Sequence, residues 1–508
     1  MTKRYGIIDI GSNSIRLVIY EKTENGAHRV VDGNKRSARL SGKVNERGEL
    51  NDNGINDLIE TLQIFTLFAS QHKLVTLVPI ATAAIRNATN QQTIIESVFE
   101  ATGLMIRVLT GGEEAEFGFL GMVNSLSIQD GFLLDIGGGS SELTLFLNRK
   151  TVHSFSFSFG CVSFNKKYDS HQGLTDQQLQ SLQQDVITEL SKHDWITQSA
   201  HLPLIAVGGT ARSLGKIHQA AIQYPFTQTH NYPIQSEQVW ELFQHLRQLP
   251  QDKRKKEAGL SKDRVDVIVP GIAVMSTIFQ YIQGTHYIIC GAGLRDGVFH
   301  KLFFPEQPLL QHPLQYSVQN LLALHTAVPR AHVEHVSKLA VQSLQQLHND
   351  NENLARLSLY LETAANLYRI GATIDYYDYS KHTFYLIIHS HLNGLSHKEI
   401  LLVAAIASYR SKNKTRNELK DYNELIDMED IELICKLGML LQLAAALDHS
   451  ETQSINQIDL TIMEDKMIIQ AQADKSELSI EQLKIKELAN DFKKQWNVKP
   501  VLKVQSST

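Results

Sequence analysis

Residues 5–20 read YGIIDIGSNSIRLVIY, and residues 131–146 read GFLLDIGGGSSELTLF. Laid over each other without a gap, Asp9 falls on Asp135, Gly11 on Gly137, Ser14 on Ser140 and Leu17 on Leu143. Each copy is an apolar run, an aspartate, a turn of small residues and a second apolar run. That pattern predicts a strand, a tight turn and a strand, because Gly, Ser and Asn supply the backbone freedom such a turn needs. The turn aims several backbone N–H groups at one point, which suits an anionic oxygen. The aspartate just before it faces the same point and can hold a cation there. Two unrelated hairpins are the plain alternative, but the match runs over sixteen positions and repeats the same polar turn. The expectation is therefore a duplication: two related α/β halves facing each other across a cleft, each contributing one phosphate-holding hairpin.

Further segments add to this cleft. Residues 204–215, LIAVGGTARSLG, are a strand-like run opening a helix at Gly208, Gly209 and Thr210, a helix N-terminus that favours anions. Alone it reads equally as a plain strand-to-helix turn; as the third such loop it gains weight. In residues 75–90, VTLVPIATAAIRNATN, a buried-strand run ends in a small-residue turn followed by Arg86. A guanidinium there can clamp a phosphate bidentately, or simply sit on a helix surface. In residues 106–121, IRVLTGGEEAEFGFLG, a strand leads into Gly111 and Gly112, then a helix with Glu113, Glu114 and Glu116 in its first turns. Acids there suit the helix dipole. A carboxylate at this junction also stands at the cleft mouth, where a general base is useful. Asp135 and Glu142 flank the second turn, and both can approach one hard cation such as Mg²⁺, which favours one or two carboxylates plus water and phosphate oxygens. No CxxC or HxxxH pattern lies nearby, so zinc is not expected.

Composition bounds the rest. A chain of 508 residues, 43% hydrophobic and 20% charged, reads as globular and too long for one core. Its net charge of −5, from 49 basic and 54 acidic side chains, excludes a basic nucleic-acid coat as a whole-chain property. It leaves room for a local basic groove. Cys161, Cys290 and Cys435 are far apart and odd in number, against a disulfide framework or a four-cysteine zinc site, and a reducing cytoplasmic setting is expected. The opening MTKRYGIIDIG has no apolar stretch of signal length, and runs such as Leu401–Ala407 are too short to span a bilayer, so neither a targeting segment nor a membrane span is expected. The basic run Lys253, Arg254, Lys255, Lys256, then Lys262 and Arg264, reads as a solvated helix face or as a guide rail for a polyanion.

DIGSNSIRL (9–17), ATAAIR (81–86), GGEEAEFGFLG (111–121), DIGGGSSEL (135–143), AVGGTARSL (206–214) and GLRDGV (293–298) together resemble the exopolyphosphatase and guanosine pentaphosphate phosphohydrolase family. The resemblance spans residues 5 to about 300. It implies the duplicated RNase H-like fold shared by actin, Hsp70-type chaperones and sugar kinases. It also implies release of the terminal phosphate of linear polyphosphate or of guanosine pentaphosphate, with Mg²⁺. Carried over motif by motif, Glu114 matches the general base. Asp135 and Glu142, with Asp9 facing them, match the metal carboxylates. The phosphate-holding turns match Gly11, Ser12, Asn13 and Ser14; Gly137, Gly138, Gly139, Ser140 and Ser141; and Gly208, Gly209 and Thr210. Arg86 matches an arginine near the terminal phosphate. Cys161 stands where relatives carry a small aliphatic and reads as a packing thiol. A homodimer is implied too.

From about Pro305 apolar residues recur at helical spacing, and nine of the 21 histidines fall between His325 and His449. The resemblance adds that long family members carry a helical domain related to HD phosphohydrolases, whose metal sits on a His, a His-Asp pair and a later Asp. Here His335 and Asp448 are available, but the middle pair falls on Tyr368 and Arg369, so the metal motif is degenerate. Beyond Gln453, IDLTIMEDKMIIQAQ predicts a hairpin turning at Glu464–Asp465, then a helix and a closing strand. The expected domains are 1–124 and 125–304 for the two halves, 305–450 for the HD-like helical domain and 451–508 for a small α/β appendix. Two readings of other classes compete with the hydrolase: a kinase of the same fold, and a non-catalytic sensor of polyphosphate or guanosine alarmones.

Overall fold

In the computed structural model, which describes residues 2–348, 351–473 and 478–506, both quoted segments are antiparallel hairpins. Lys3–Ile10 (β1) pairs with Ile15–Lys22 (β2), placing Asp9 opposite Arg16 and Ile10 opposite Ile15. His28–Arg36 (β3), Thr76–Ala81 (β4) and Arg107–Val108 (β5) complete a five-stranded sheet of order β3-β2-β1-β4-β5. In the second half Gly131–Ile136 (β6) pairs with Ser141–Leu147 (β7), and Asp135 stands opposite Glu142. Lys150–Phe157 (β8), Leu204–Val207 (β9), Tyr232–Ile234 (β10) and Tyr287–Ile289 (β11) complete a six-stranded sheet of order β10-β11-β9-β6-β7-β8.

The duplication is thus one of topology. The run β3-β2-β1-β4-β5 matches β8-β7-β6-β9-β11, with three antiparallel strands followed by parallel ones in each. The short β10 is added antiparallel at the second sheet's edge. Both halves therefore have the actin- and sugar-kinase-like α/β architecture. The hairpin strands are near-continuous apolar runs because helices cover their faces. Phe65 of the helix Asp52–Ser70 packs with Ile8, Ile10 and Leu17. The almost wholly buried helix Ile268–Tyr281 packs with Phe132, Leu134 and Leu143.

Helices cross between the halves: Gly111–Val123 packs Phe119, Met122 and Val123 with Leu133, Phe146 and Ile205 of the second sheet. The helix Leu294–Phe303 places Val298, Phe299 and Phe303 against Ile7, Tyr20, Ile80 and Leu109 of the first sheet. It lies against the helix Gly111–Val123 with backbones nearly touching: a Cβ on Gly297 would overlap the Phe117 carbonyl, and one on Gly121 the Gly293 carbonyl. Glycine is required at this crossing for space alone. The helix that carries Glu114 is thereby fixed to both halves.

The chain divides into two compact units, Met1–Pro313 and Leu314–Thr508. In the second, helices Arg330–Leu347, Asn351–Leu367, His397–Ala407 and Met428–Leu447 bury Val336, Leu361, Val403 and Leu440. Ile455–Met463 (β12) and Lys466–Ala473 (β13) then form a hairpin turning at Glu464 and Asp465, and the helix Ser479–Trp496 leads to Lys499–Ser506 (β14), parallel to β13. Among the described residues no helix is long and apolar enough to cross a membrane.

Candidate active site

The two aspartates before the turns, the turns themselves and the third Gly-rich loop converge on one cleft in the first unit. Asp9, Gly11, Ser12, Asn13 and Ser14 line it from one side, and Asp135, Gly137, Gly138 and Ser140 from the other. Gly208 and Gly209 close it at the start of the helix Gly208–Ala221, and Glu114 reaches it from the helix Gly111–Val123. Equivalent hydrogen bonds close the turns: Gly11 N–H donates to Ser14 O at 3.2 Å, and Gly137 N–H to Ser140 O at 2.9 Å. The turns abut, since a Cβ on Gly138 would stand 2.7 Å from Ser12 Cβ. Gly208 has φ +93, and a Cβ there would stand 2.7 Å from Asp135 Oδ1, so glycine is needed for both conformation and space.

Not every expected residue lines the cleft. Gly139, Ser141 and Thr210 do not; Ser141 is buried, with its hydroxyl donating to Phe159 O at 2.8 Å. Glu142 lies behind the second turn, 3% exposed, accepting from Ser156 Oγ at 2.7 Å. Arg86 also stands outside. Its Nη1 donates to Glu114 Oε2 at 2.6 Å and to Leu109 O at 3.1 Å, and its Nη2 lies 3.9 Å from Glu142 Oε1. Arg86 thus braces the proposed base and the buried carboxylate behind it.

Four arginines enter the cleft: Arg16, Arg212 and Arg295, to which the motifs assign no role, and Arg264 from the basic run. Arg16, Arg212 and Arg295 sit inside quoted motifs and Arg264 closes the basic run, so basic residues within those stretches are the available signal. Arg295 Nε is 3.5 Å from Asp9 Oδ2. The Arg264 guanidinium occupies the space where a Cβ on Gly209 would lie. The basic run resolves into separate roles. Arg254 is fully buried and donates to the carbonyls of Leu249, Val265 and Ser170, a structural clamp, while Arg264 belongs to the cleft.

Burial and like charge set the electrostatics. Arg16 is pushed down to about 10 by burial and by the neighbouring Arg295 and Arg212. Arg212 is lowered by burial and by Arg295 and Arg264. The carboxylates move the other way. Burial raises Asp9 despite Arg295, Arg16 and Arg212, and carries Asp135 up to about 6. Burial also lifts Glu114 to about 7 against the opposing pull of Arg86. Glu142 is held well above the usual carboxylate range by burial and by Glu114 and Asp135. Mutually repelling guanidinium groups and reluctantly ionised carboxylates in one cleft cost folding energy, and both are relieved by bound anionic oxygens and a cation. Among the described residues no cluster of three His, Cys, Asp or Glu could by itself hold a metal ion. Ion pairs also join the halves beside the cleft: Lys35 with Asp263, and Arg39 with Asp266 at 3.6 Å.

The cysteines are buried, and burial raises the Cys161 thiol, as befits a packing residue. In the second unit Asp448 does not meet His335. It accepts from His332 Nδ1 at 2.8 Å, and His332 Nε2 meets Tyr368 Oη at 2.5 Å. Tyr368 thus caps the histidine, while Arg369 pairs with Glu451. The expected histidine, His335, is therefore replaced by His332, one helical turn earlier on the same helix.

Comparison with known proteins bears on the family and the fold. The profile of the Ppx/GppA phosphatase family matches residues 18–304, and that of Ppx/GppA phosphatase domain III matches residues 315–492. A crystal structure of an exopolyphosphatase from Cytophaga hutchinsonii superposes with TM-score 0.56 at 20% identity, covering 61% of this chain and all of that one. The Aquifex aeolicus Ppx/GppA family member superposes with TM-score 0.53 at 25% identity, covering 60% of this chain and 99% of that one.

Proposed function

The chain belongs to the Ppx/GppA phosphatase family, and from that premise we propose that it releases the terminal phosphate of linear inorganic polyphosphate, with Glu114 as general base. The observation that carries this reading is the Glu114 carboxylate, lifted to about 7 and sharing one cleft with two small-residue turns and four arginines. A base poised near neutrality accepts a proton without being permanently protonated. The backbone N–H groups of the turns and the guanidinium groups hold the phosphate oxygens. The water oxygen bonds to the terminal phosphorus, its proton passes to Glu114, and the bridging P–O bond breaks to leave orthophosphate and a chain one unit shorter. Positioning and charge stabilisation carry most of such a reaction.

Mg²⁺ fits here on the chemistry of the donors. Asp9 and Asp135 are buried carboxylates whose ionisation is opposed by their surroundings, and a hard cation with substrate oxygens and water would complete the set. When bound it supplies charge neutralisation at the phosphates. Glu142 would support it from behind.

The test is phosphate release from long-chain polyphosphate and from guanosine pentaphosphate, side by side, with and without Mg²⁺, and with ATP plus candidate acceptors as a third arm. Release from polyphosphate, abolished by Glu114→Gln with binding retained, is expected. Release from the nucleotide alone, transfer from ATP to an acceptor, or full activity in Glu114→Gln would each overturn it.

A further inference from the structure

Behind Arg86 and Glu142 lies a second cavity, distinct from the cleft that holds the turns. Its lining includes Arg86, Gly112, Ser140, Ser154, Ser156 and Ser158. Ser140 lines both cavities, so the two meet at the second turn. Arg86 lines the rear one, while its partner Glu114, 2.6 Å away, lines the front.

We propose that this rear cavity takes the orthophosphate product. The inference rests on the hydrolysis proposed above and adds the path of what it releases. In-line displacement inverts the phosphorus, which moves toward the attacking water and away from the bridging oxygen. The product is therefore left on the Glu114 side, while the shortened chain still occupies the turns and arginines of the front cleft. The rear lining suits a small divalent anion. It offers a guanidinium, the Ser140 hydroxyl and the Gly111 and Gly112 N–H groups that open the helix Gly111–Val123, ahead of the Glu113 N–H that Thr110 caps. The front cleft contains Asp9, Glu114, Asp135 and Asp296, whereas no carboxylate is among the described residues lining the rear one. Arg86 is already paired with Glu114, so the product is held weakly and passes on.

Gly112 offers a clean perturbation, because a Cβ there meets nothing within 4 Å. Gly112→Leu narrows the rear cavity without replacing a charged group, and Ser158→Leu narrows it from the strand side should the helix start tolerate the first change poorly. Acid-quench measurement of the first turnover reads cleavage, and a fluorescent phosphate-binding protein in stopped flow reads free orthophosphate. Cleavage at the wild-type rate with free phosphate delayed several-fold is expected in both variants. Free phosphate appearing in step with cleavage in both would overturn the proposal. Calorimetric titration with orthophosphate alone reads the cavity without turnover: one weak site is lost in each variant if the proposal holds, and an unchanged isotherm refutes it. If the wild-type protein cleaves neither substrate, the hydrolase reading falls, and this titration still judges the cavity.

Discussion

Replacing Arg86 by Met removes a cation bonded to the proposed base while keeping an unbranched side chain. Arg86 Nη1 donates to Glu114 Oε2 at 2.6 Å, and both side chains are mostly buried, 17% and 12% exposed. A hydrogen bond to a charged group contributes about 1.5–3 kcal/mol, and one pKa unit corresponds to about 1.4 kcal/mol. Without Arg86 the Glu114 carboxyl therefore rises by roughly one to two units from its starting value of about 7. The sign follows from the role. A general base acts when deprotonated, so activity climbs with pH through the pKa of Glu114, and a higher pKa moves that acidic limb upward. The measurement is kcat/KM for phosphate release across pH 5–10 in wild type and Arg86→Met, since this quantity reports the free enzyme. At neutral pH the variant should be roughly 5- to 50-fold slower than wild type from this effect alone, and it should recover much of the loss at alkaline pH. An acidic limb that stays in place, or moves to lower pH, refutes the assignment of Glu114 as the base braced by Arg86.

Glu142→Gln should raise the melting temperature at pH 8, with the gain shrinking as pH falls toward the ordinary carboxylate range. The native state holds this group above its unfolded pKa, so it binds more protons than the unfolded chain and wild-type stability declines as pH rises from the unfolded value; calorimetry at two pH values checks it. Gly208→Ala places a Cβ at φ +93 and 2.7 Å from Asp135 Oδ1, costing about 1–2 kcal/mol and displacing the aspartate, so kcat should fall and the Mg²⁺ requirement rise. A variant with wild-type kcat and Mg²⁺ dependence would count against Asp135 as a cation ligand. His332→Ala removes a buried hydrogen-bond partner of Asp448, leaving it the Gln453 bonds, and should destabilise the second unit by about 1–3 kcal/mol, read as a lowered urea midpoint, whereas His335→Ala should cost less.

Much of this molecule is legible along the chain because its decisive contacts are local. Asp9 and Asp135 each precede a four-residue turn whose closing hydrogen bond spans three residues, so adjacent residues dictate the hairpin. The strand-to-helix steps at Gly111 and Gly208 are equally local, and Glu113 with Thr110 forms the capping box that fixes where the Glu114 helix begins. Arg86 was visible as a candidate, but its partner lies 28 residues away, so a phosphate clamp and a brace for Glu114 read alike. Arg16, Arg212 and Arg295 lie inside the motifs and Arg264 in the basic run, but spacing does not say which face of a strand or helix meets the cleft. His332 and His335 sit on one helix, and only the packing of Met428–Leu447 against it selects the first.

The duplication, the three small-residue loops, the family resemblance and the helical character of the second unit can all be read along the chain, since each rests on a periodicity or on a motif closed within a few residues. The tertiary structure decided the rest. It drew the four arginines into the cleft, moved Arg86 and Glu142 behind it, buried Arg254 in a structural role and opened a second cavity at Ser140. Those outcomes depend on how two sheets and two glycine-notched helices pack, and burial, not residue type, sets the charge state of the carboxylates there.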